Sequence, residues 1–191
     1  MSGAAETCSI LAVVYSEGLA ADRYLAALAY GLRDAGVAVA GIVQRNTFIR
    51  DRAKCDMEVE ELASGTVLRI SEDRGIAARG CRLDHAALSE ACALLSASFE
   101  DVPDLVIVNK FGKTEAQGRG MRDALAEAVA RGIPMIVGVP YRNLDAWRAF
   151  AGEFAEECEL GSSRVAAWLT MRGFSVERVT AAVLSSEPQT V

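Results

Sequence analysis

Ser9-Ile10-Leu11-Ala12-Val13-Val14-Tyr15-Ser16-Glu17-Gly18-Leu19-Ala20-Ala21-Asp22-Arg23 is the stretch on which the reading of this chain turns. From Ser9 to Tyr15 it is a continuous apolar run rich in β-branched residues, the pattern of a strand buried on both faces of a parallel sheet. Ser16-Glu17-Gly18 interrupts the run. From Ala21 to Ala35 the apolar residues Tyr24, Leu25, Leu28 and Leu32 recur at helical spacing until Gly36 stops them. Val37 to Val43 is apolar again, which completes a strand-loop-helix-strand unit of the length a right-handed parallel crossover needs.

Further along, Met57 to Leu62 and Thr66 to Ile70 alternate across the turn Ala63-Ser64-Gly65 and predict an antiparallel hairpin. Asp84 has the chemistry of an N-cap for a helix through about Ser98. Leu105 to Val108 and Pro134 to Val139 are further buried strands, and Arg119 to Arg131 is a helix ending at Gly132. Leu144 to Cys158 has the spacing of one amphipathic helix, with Trp147, Phe150 and Phe154 as packing residues. Ser162 to Leu184 predicts a helix around Trp168 and then a strand or helix from Val176, before a frayed tail. The alternation implies an α/β sandwich with a mostly parallel sheet and an antiparallel hairpin insertion.

With 191 residues, 51% of them apolar, the chain can fill the core of one domain. Its formal charge of −6 and its scattered arginines argue against a nucleic-acid face. No basic segment precedes the first apolar run, and no run approaches the ~20 residues that span a bilayer. A cytoplasmic protein without a membrane partner is expected. Cys8, Cys55, Cys81, Cys92 and Cys158 form no Cys-x-x-Cys pair and are expected to be reduced thiols. His85 is the single histidine, which excludes sites built on several; with Cys81 it does not make a metal site.

Ligands of an open parallel sheet sit beyond the carboxyl ends of the strands, so the loops after Tyr15, Val43 and Val108 should converge. The first leads into a helix whose free amides and dipole suit an anion. The same pattern fits an ordinary strand-to-helix turn with Gly18 at positive φ. The loop after Val108, Asn109-Lys110-Phe111-Gly112-Lys113-Thr114-Glu115, and then Gly118-Arg119-Gly120-Met121-Arg122, brings cations to the same edge. Those cations fit either an anion site or a solvated rim. Gln44-Arg45-Asn46 adds polar groups there.

Together, residues 8 to about 140 resemble the thermophilic-type nucleoside triphosphatase family of P-loop proteins. The resemblance runs from the loop after Tyr15 through Gly41-Ile42-Val43-Gln44 and the hairpin to Gly80-Cys81-Arg82-Leu83-Asp84. The chain resembles more closely the bacterial domain-of-unknown-function family 2478. That family carries the Asn109 to Glu115 pattern and Trp147-Arg148-Ala149-Phe150-Ala151-Gly152, over about residues 8 to 160. The resemblance implies a P-loop NTPase-like three-layer sandwich, with residues 161 to 191 as a C-terminal extension packed on or assembling the same domain. Both Walker motifs are degenerate. Where the hydrolase family has glycine-lysine-threonine this chain has Ala20, Ala21 and Asp22, and where it has aspartate-glutamate this chain has Asn109 and Lys110. Loss of the lysine and the Mg²⁺ carboxylate removes the groups that stabilise phosphoryl transfer.

The resemblance therefore implies a non-hydrolytic binding protein for a small oxyanion or a nucleotide. Molybdate and tungstate are candidates because the family is found beside molybdenum genes. The implied binding residues are Ser16, Glu17, Gly18, Leu19, Ala20, Ala21, Asp22, Arg23, Gln44, Arg45, Asn109, Lys110, Lys113 and Arg119, with no metal ligand and no certain cofactor. One alternative is a weak nucleoside triphosphatase in which Lys110, Lys113 or an arginine replaces the lysine and Glu115 is the catalytic carboxylate. The other is an interaction protein with a vestigial site, in which Trp168, Leu169 and neighbouring apolar residues of the extension mediate homo-oligomer assembly or dock internally.

Overall fold

The computed structural model describes residues 9–47, 56–72 and 82–176. Its elements are β1 (Ile10–Tyr15), α1 (Gly18–Asp34), β2 (Val39–Thr47), β3 (Asp56–Glu61), β4 (Val67–Arg69), β5 (Ser71–Glu72) and β6 (Arg82–Leu83). There follow α2 (His85–Ser98), β7 (Leu105–Val108), α3 (Lys113–Ala116), α4 (Arg122–Ala130), β8 (Met135–Pro140), α5 (Leu144–Ala151), β9 (Ala155–Glu159) and α6 (Arg164–Met171). Seven strands form one sheet in the order β4-β3-β2-β7-β8-β1-β9, and β5 pairs with β6 apart from it. The run from β2 to β9 is parallel, and β3 and β4 add the antiparallel hairpin at one edge.

The continuous apolar strands earn their burial because both faces of the sheet are covered. On one face Ile10, Ala12, Val106 and Val108 meet Ala91 and Leu95 of α2, Leu125 of α4 and Trp147 of α5. On the other, Leu11, Val13 and Ile107 meet Leu25, Leu28 and Leu32 of α1 and Val165, Trp168 and Leu169 of α6. This is a three-layer α/β/α sandwich. Trp168 and Leu169 are buried in the chain's own core, where each fully buried large apolar side chain is worth about 1.5–3 kcal/mol relative to exposure. In the strand interior, Gly41 is obligatory: at φ +135° its position would bring a Cβ 1.9 Å from the Ile107 carbonyl oxygen across the ladder.

The hairpin lies where the alternation places it, and the Asp84 carboxylate caps α2 by accepting from the amides of Ala86 at 2.9 Å and Ala87 at 3.1 Å. The helix expected from Leu144 to Cys158 is not continuous. It ends at Ala151, Gly152 takes φ 52°, ψ −132°, and Ala155 to Glu159 becomes an edge strand parallel to β1. Glu156, Glu157 and Glu159 hide this strand from propensity, yet an edge tolerates charge. Arg148 forks onto Glu157 at 2.8 and 2.7 Å, and Arg164 pairs with Glu156 at 2.9 Å. Among the described residues no helix is long and apolar enough to cross a membrane. The readings that rest on Cys8, Cys55, Gly80, Cys81 and residues 177–191 lie outside the described part.

Candidate functional site

The segment from Tyr15 to Arg23 is not an extended loop. Only Ser16 and Glu17 separate β1 from α1, whose helical residues begin at Gly18, three positions before the expected start at Ala21. Glu17 takes the extended N-cap conformation with no side-chain cap, and its carbonyl accepts from the Ala21 amide at 3.1 Å. Gly18 is helical, not at positive φ. Gly18 to Arg23 therefore cannot wrap around a phosphate as a glycine-rich loop does. What the segment offers is the first-turn amides of a 17-residue helix and its positive dipole end. Early winding has a second effect: Ala21 is fully buried at 0% exposure, while Ser16, Glu17, Leu19 and Ala20 face outward.

Asp22 and Asn109, from opposite halves of the expected site, meet. The Asn109 Nδ2 amide donates to Asp22 Oδ1 at 2.6 Å, with Asn109 3% and Asp22 7% exposed. A carboxylate only accepts, so this bond fixes the amide orientation of Asn109. The end of β7 reaches this position because its backbone is held on two sides: the Asn109 amide donates to the Ile42 carbonyl at 2.9 Å and the Phe111 amide to the Gly138 carbonyl at 2.7 Å. Gly138 is itself demanded by the crowding, since a Cβ there would lie 2.2 Å from the Asn109 carbonyl oxygen. Tyr15 is buried beside this pair. Burial foremost, and then the Asp22 carboxylate, pushes its phenol well above the ordinary tyrosine range, while the positive charge of Arg142, after β8, acts the other way.

The loop after β7 distributes its charges unevenly. Glu115 is 3% exposed and both its oxygens are engaged by backbone: Oε2 accepts from the Gly112 amide at 2.8 Å and Oε1 from the Met121 amide at 3.1 Å. Gly120, at φ +67°, leaves the room that this carboxylate occupies. Glu115 thus braces residues 112–121. Phe111 anchors the loop below, with its ring 5.1 Å from Trp147 and 5.7 Å from Phe150. Phe154 stays exposed and does not join them. Lys113 and Arg119 are exposed, Arg119 donating to Gln117 at 3.2 Å, and Lys110 is half-buried.

A groove of about 670 Å³ opens between α1 and the β2–β3 ladder at Gln44, Arg45 and Glu60, a volume in the range of small-molecule sites. It brings together five of the expected residues, Leu19, Asp22, Arg23, Gln44 and Arg45, and excludes Lys110, Lys113 and Arg119. It also has members that the sequence reading missed: Tyr30, Arg33 and Glu60. Buried Glu60 accepts from Tyr30 Oη at 2.7 Å, Arg45 at 3.2 Å and Arg33 at 3.4 Å. Burial, followed by the bond to Glu60, pushes the Tyr30 phenol up to about 12. A signal was present, since Leu19, Arg23, Ala26, Tyr30 and Arg33 repeat every four and three residues and so share one stripe of the helix.

The parallel core, the β1-α1 junction and the contact of α1 with the end of β7 make this a P-loop NTPase-like α/β fold. The chain belongs to the family described as protein of unknown function (DUF2478), which matches residues 10–168. It is also similar to "Molybdenum import ATP-binding protein ModC 2" of Bradyrhizobium diazoefficiens, with 39% identity over 145 residues, 75% of this chain. The chain spans only 16% of that relative's length. Among solved structures, THEP1 from the hyperthermophile Aquifex aeolicus shares the fold at a TM-score of 0.52 and 12% identity, over 85% of this chain and 94% of THEP1.

Proposed function

We propose that this chain is a non-hydrolytic binding protein that holds a small anion, either a nucleotide or an oxyanion such as molybdate or tungstate, at the strand-end edge beside α1. The observation that carries the reading is the direct Asn109–Asp22 hydrogen bond, together with Ala21 facing the core. Hydrolysis on this fold needs a cation on the β- and γ-phosphates and a carboxylate free to help hold Mg²⁺. The position that would supply the cation is a buried alanine. The end of β7 carries Asn109, and the carboxylate nearest it, Asp22 of α1, is engaged by that amide. These side chains do not fit a Mg²⁺–triphosphate centre.

Binding is supported by what remains: helix-terminal amides, the cations Arg23, Lys110 and Arg142 near the strand ends, and a groove of ligand size. Molybdate enters because the relative in Bradyrhizobium diazoefficiens is named for molybdenum import. Titration calorimetry with molybdate, tungstate, phosphate, ATP and GTP tests the reading, paired with a phosphate-release assay in Mg²⁺. Saturable heat from at least one anion, with release at the level of the blank, is expected. Silence from all five, or steady turnover of ATP or GTP, would sink it.

A further inference from the structure

Resting on the reading that the chain binds a small anion, the geometry points to a particular seat and ligand class. We propose that the groove between α1 and the β2–β3 ladder takes an organic phosphate or carboxylate of mononucleotide size, whose anionic group is held by Arg33 and Arg45.

Formal charge alone does not reveal this, because the groove has three arginines, Arg23, Arg33 and Arg45, and three carboxylates, Asp22, Asp34 and Glu60. Their accessibility differs. Glu60 has a side chain only 8% exposed and takes hydrogen bonds from three donors, so its charge is satisfied below the surface. Asp22 is buried and tied to Asn109. The guanidinium groups stand above them: the side chains of Arg33 and Arg45 are 43% and 53% exposed. A guanidinium has five N–H donors, and the contact with Glu60 uses one nitrogen of each arginine. The donors that remain on both sides of one buried carboxylate suit the paired oxygens of a phosphate or carboxylate. Arg33 is further positioned by stacking over the Tyr30 ring at 5.0 Å.

Size separates an organic anion from a bare one. A cavity of about 670 Å³ lies within the roughly 300–1,000 Å³ of sites for drug-sized ligands, far more space than a tetrahedral oxyanion fills. Leu19 and Ala26 line its wall, beside the Tyr30 ring, and give the body of the ligand apolar surface. The buried Glu60 acts as a template that holds two arginines at a fixed separation before the ligand arrives, which lowers the ordering cost of binding.

The test is calorimetric titration of the full chain and of R45A, R45K, R33K and K110A with ATP, GTP, inorganic phosphate and molybdate. Arg45 is the safer truncation because Arg33 and Tyr30 continue to satisfy Glu60, and circular dichroism checks that each variant folds. The expected result is that ATP or GTP binds more tightly than phosphate or molybdate, that R45A weakens it by about tenfold or more, and that R45K and R33K fall between. If a nucleotide binds wild type and R45A within twofold of each other while K110A abolishes it, the ligand sits at the strand ends and the groove assignment is overturned, with anion binding intact. If molybdate or phosphate binds more tightly than either nucleotide, the ligand class is overturned. If none of the four binds wild type, the reading beneath the proposal fails and takes it along.

Discussion

The Asp22–Asn109 bond can be tested as an energetic unit by a double-mutant cycle of D22A, N109A and the pair. Both side chains are nearly excluded from water and the bond is short at 2.6 Å, so it belongs with hydrogen bonds to charged groups, worth about 1.5–3 kcal/mol net. N109A removes a donor from a buried carboxylate, and D22A strands a buried amide, so each single change should cost about 2 kcal/mol or more. In the double variant the stranded partner is gone as well. The coupling energy should therefore be about 2 kcal/mol, with the double variant less destabilised than the sum. Urea unfolding followed by the fluorescence of buried Trp147 and Trp168 reads this, provided the slope with denaturant is unchanged. The swap D22N/N109D, which exchanges donor and acceptor across the same gap, should recover most of the loss. A coupling below about 0.5 kcal/mol, or a swap no better than the alanine pair, would refute the view that these replacements form one paired unit.

A21K should destabilise the fold by about 3 kcal/mol or more, because Ala21 is fully enclosed, and A21K/D22T/N109D should release no phosphate from ATP above blank; thermal melts and the release assay check both. Val102, before Pro103, sits at φ 49°, ψ 70° and is exposed, so V102G should raise stability by about 0.5–1 kcal/mol in urea unfolding, what remains of the ~1–2 kcal/mol left-handed cost after glycine's entropy. The Arg148 hydrogen bonds hold the Glu157 carboxyl below its ordinary value, so their contribution is present above the unfolded carboxylate range and lost as pH falls through the lowered folded value. R148A should therefore lower stability only slightly at neutral pH and converge with wild type in acid, as read by unfolding at a series of pH values.

Much of the fold was legible because its signals are local. Asp84 caps α2 and the Ala63-Ser64-Gly65 turn joins β3 to β4 where their chemistry places them, and Leu105–Val108 is a strand to the residue. β9 was not legible, since Ala-Glu-Glu-Cys-Glu has neither β propensity nor apolar alternation; it exists because β1 offers a free edge and two arginines neutralise its carboxylates. The site was legible in part. Residue types beyond the strand ends could be read, but the helical winding of Gly18 to Arg23 could not, and that winding sends Ala21 inward and Asp22 toward Asn109. Glu115 illustrates the same gap: an acidic residue in a strand-end loop is ambiguous until its two oxygens are seen to hold the amides of Gly112 and Met121.

The residues at the strand ends are better understood as one interdependent set than as independent features. Because α1 begins at Gly18, Ala21 faces inward and is fully enclosed in the core. Once the helix starts there, position 22 faces the end of β7, where a second carboxylate would place two buried negative charges in contact. Asn109 resolves that conflict by supplying a donor in place of a charge, and Gly138 supplies the clearance that lets β7 reach across. These contacts tie α1 to the end of β7, while on the side of α1 that faces the hairpin Glu60 pairs with Arg33 and Arg45, the two arginines proposed above to hold an anionic group.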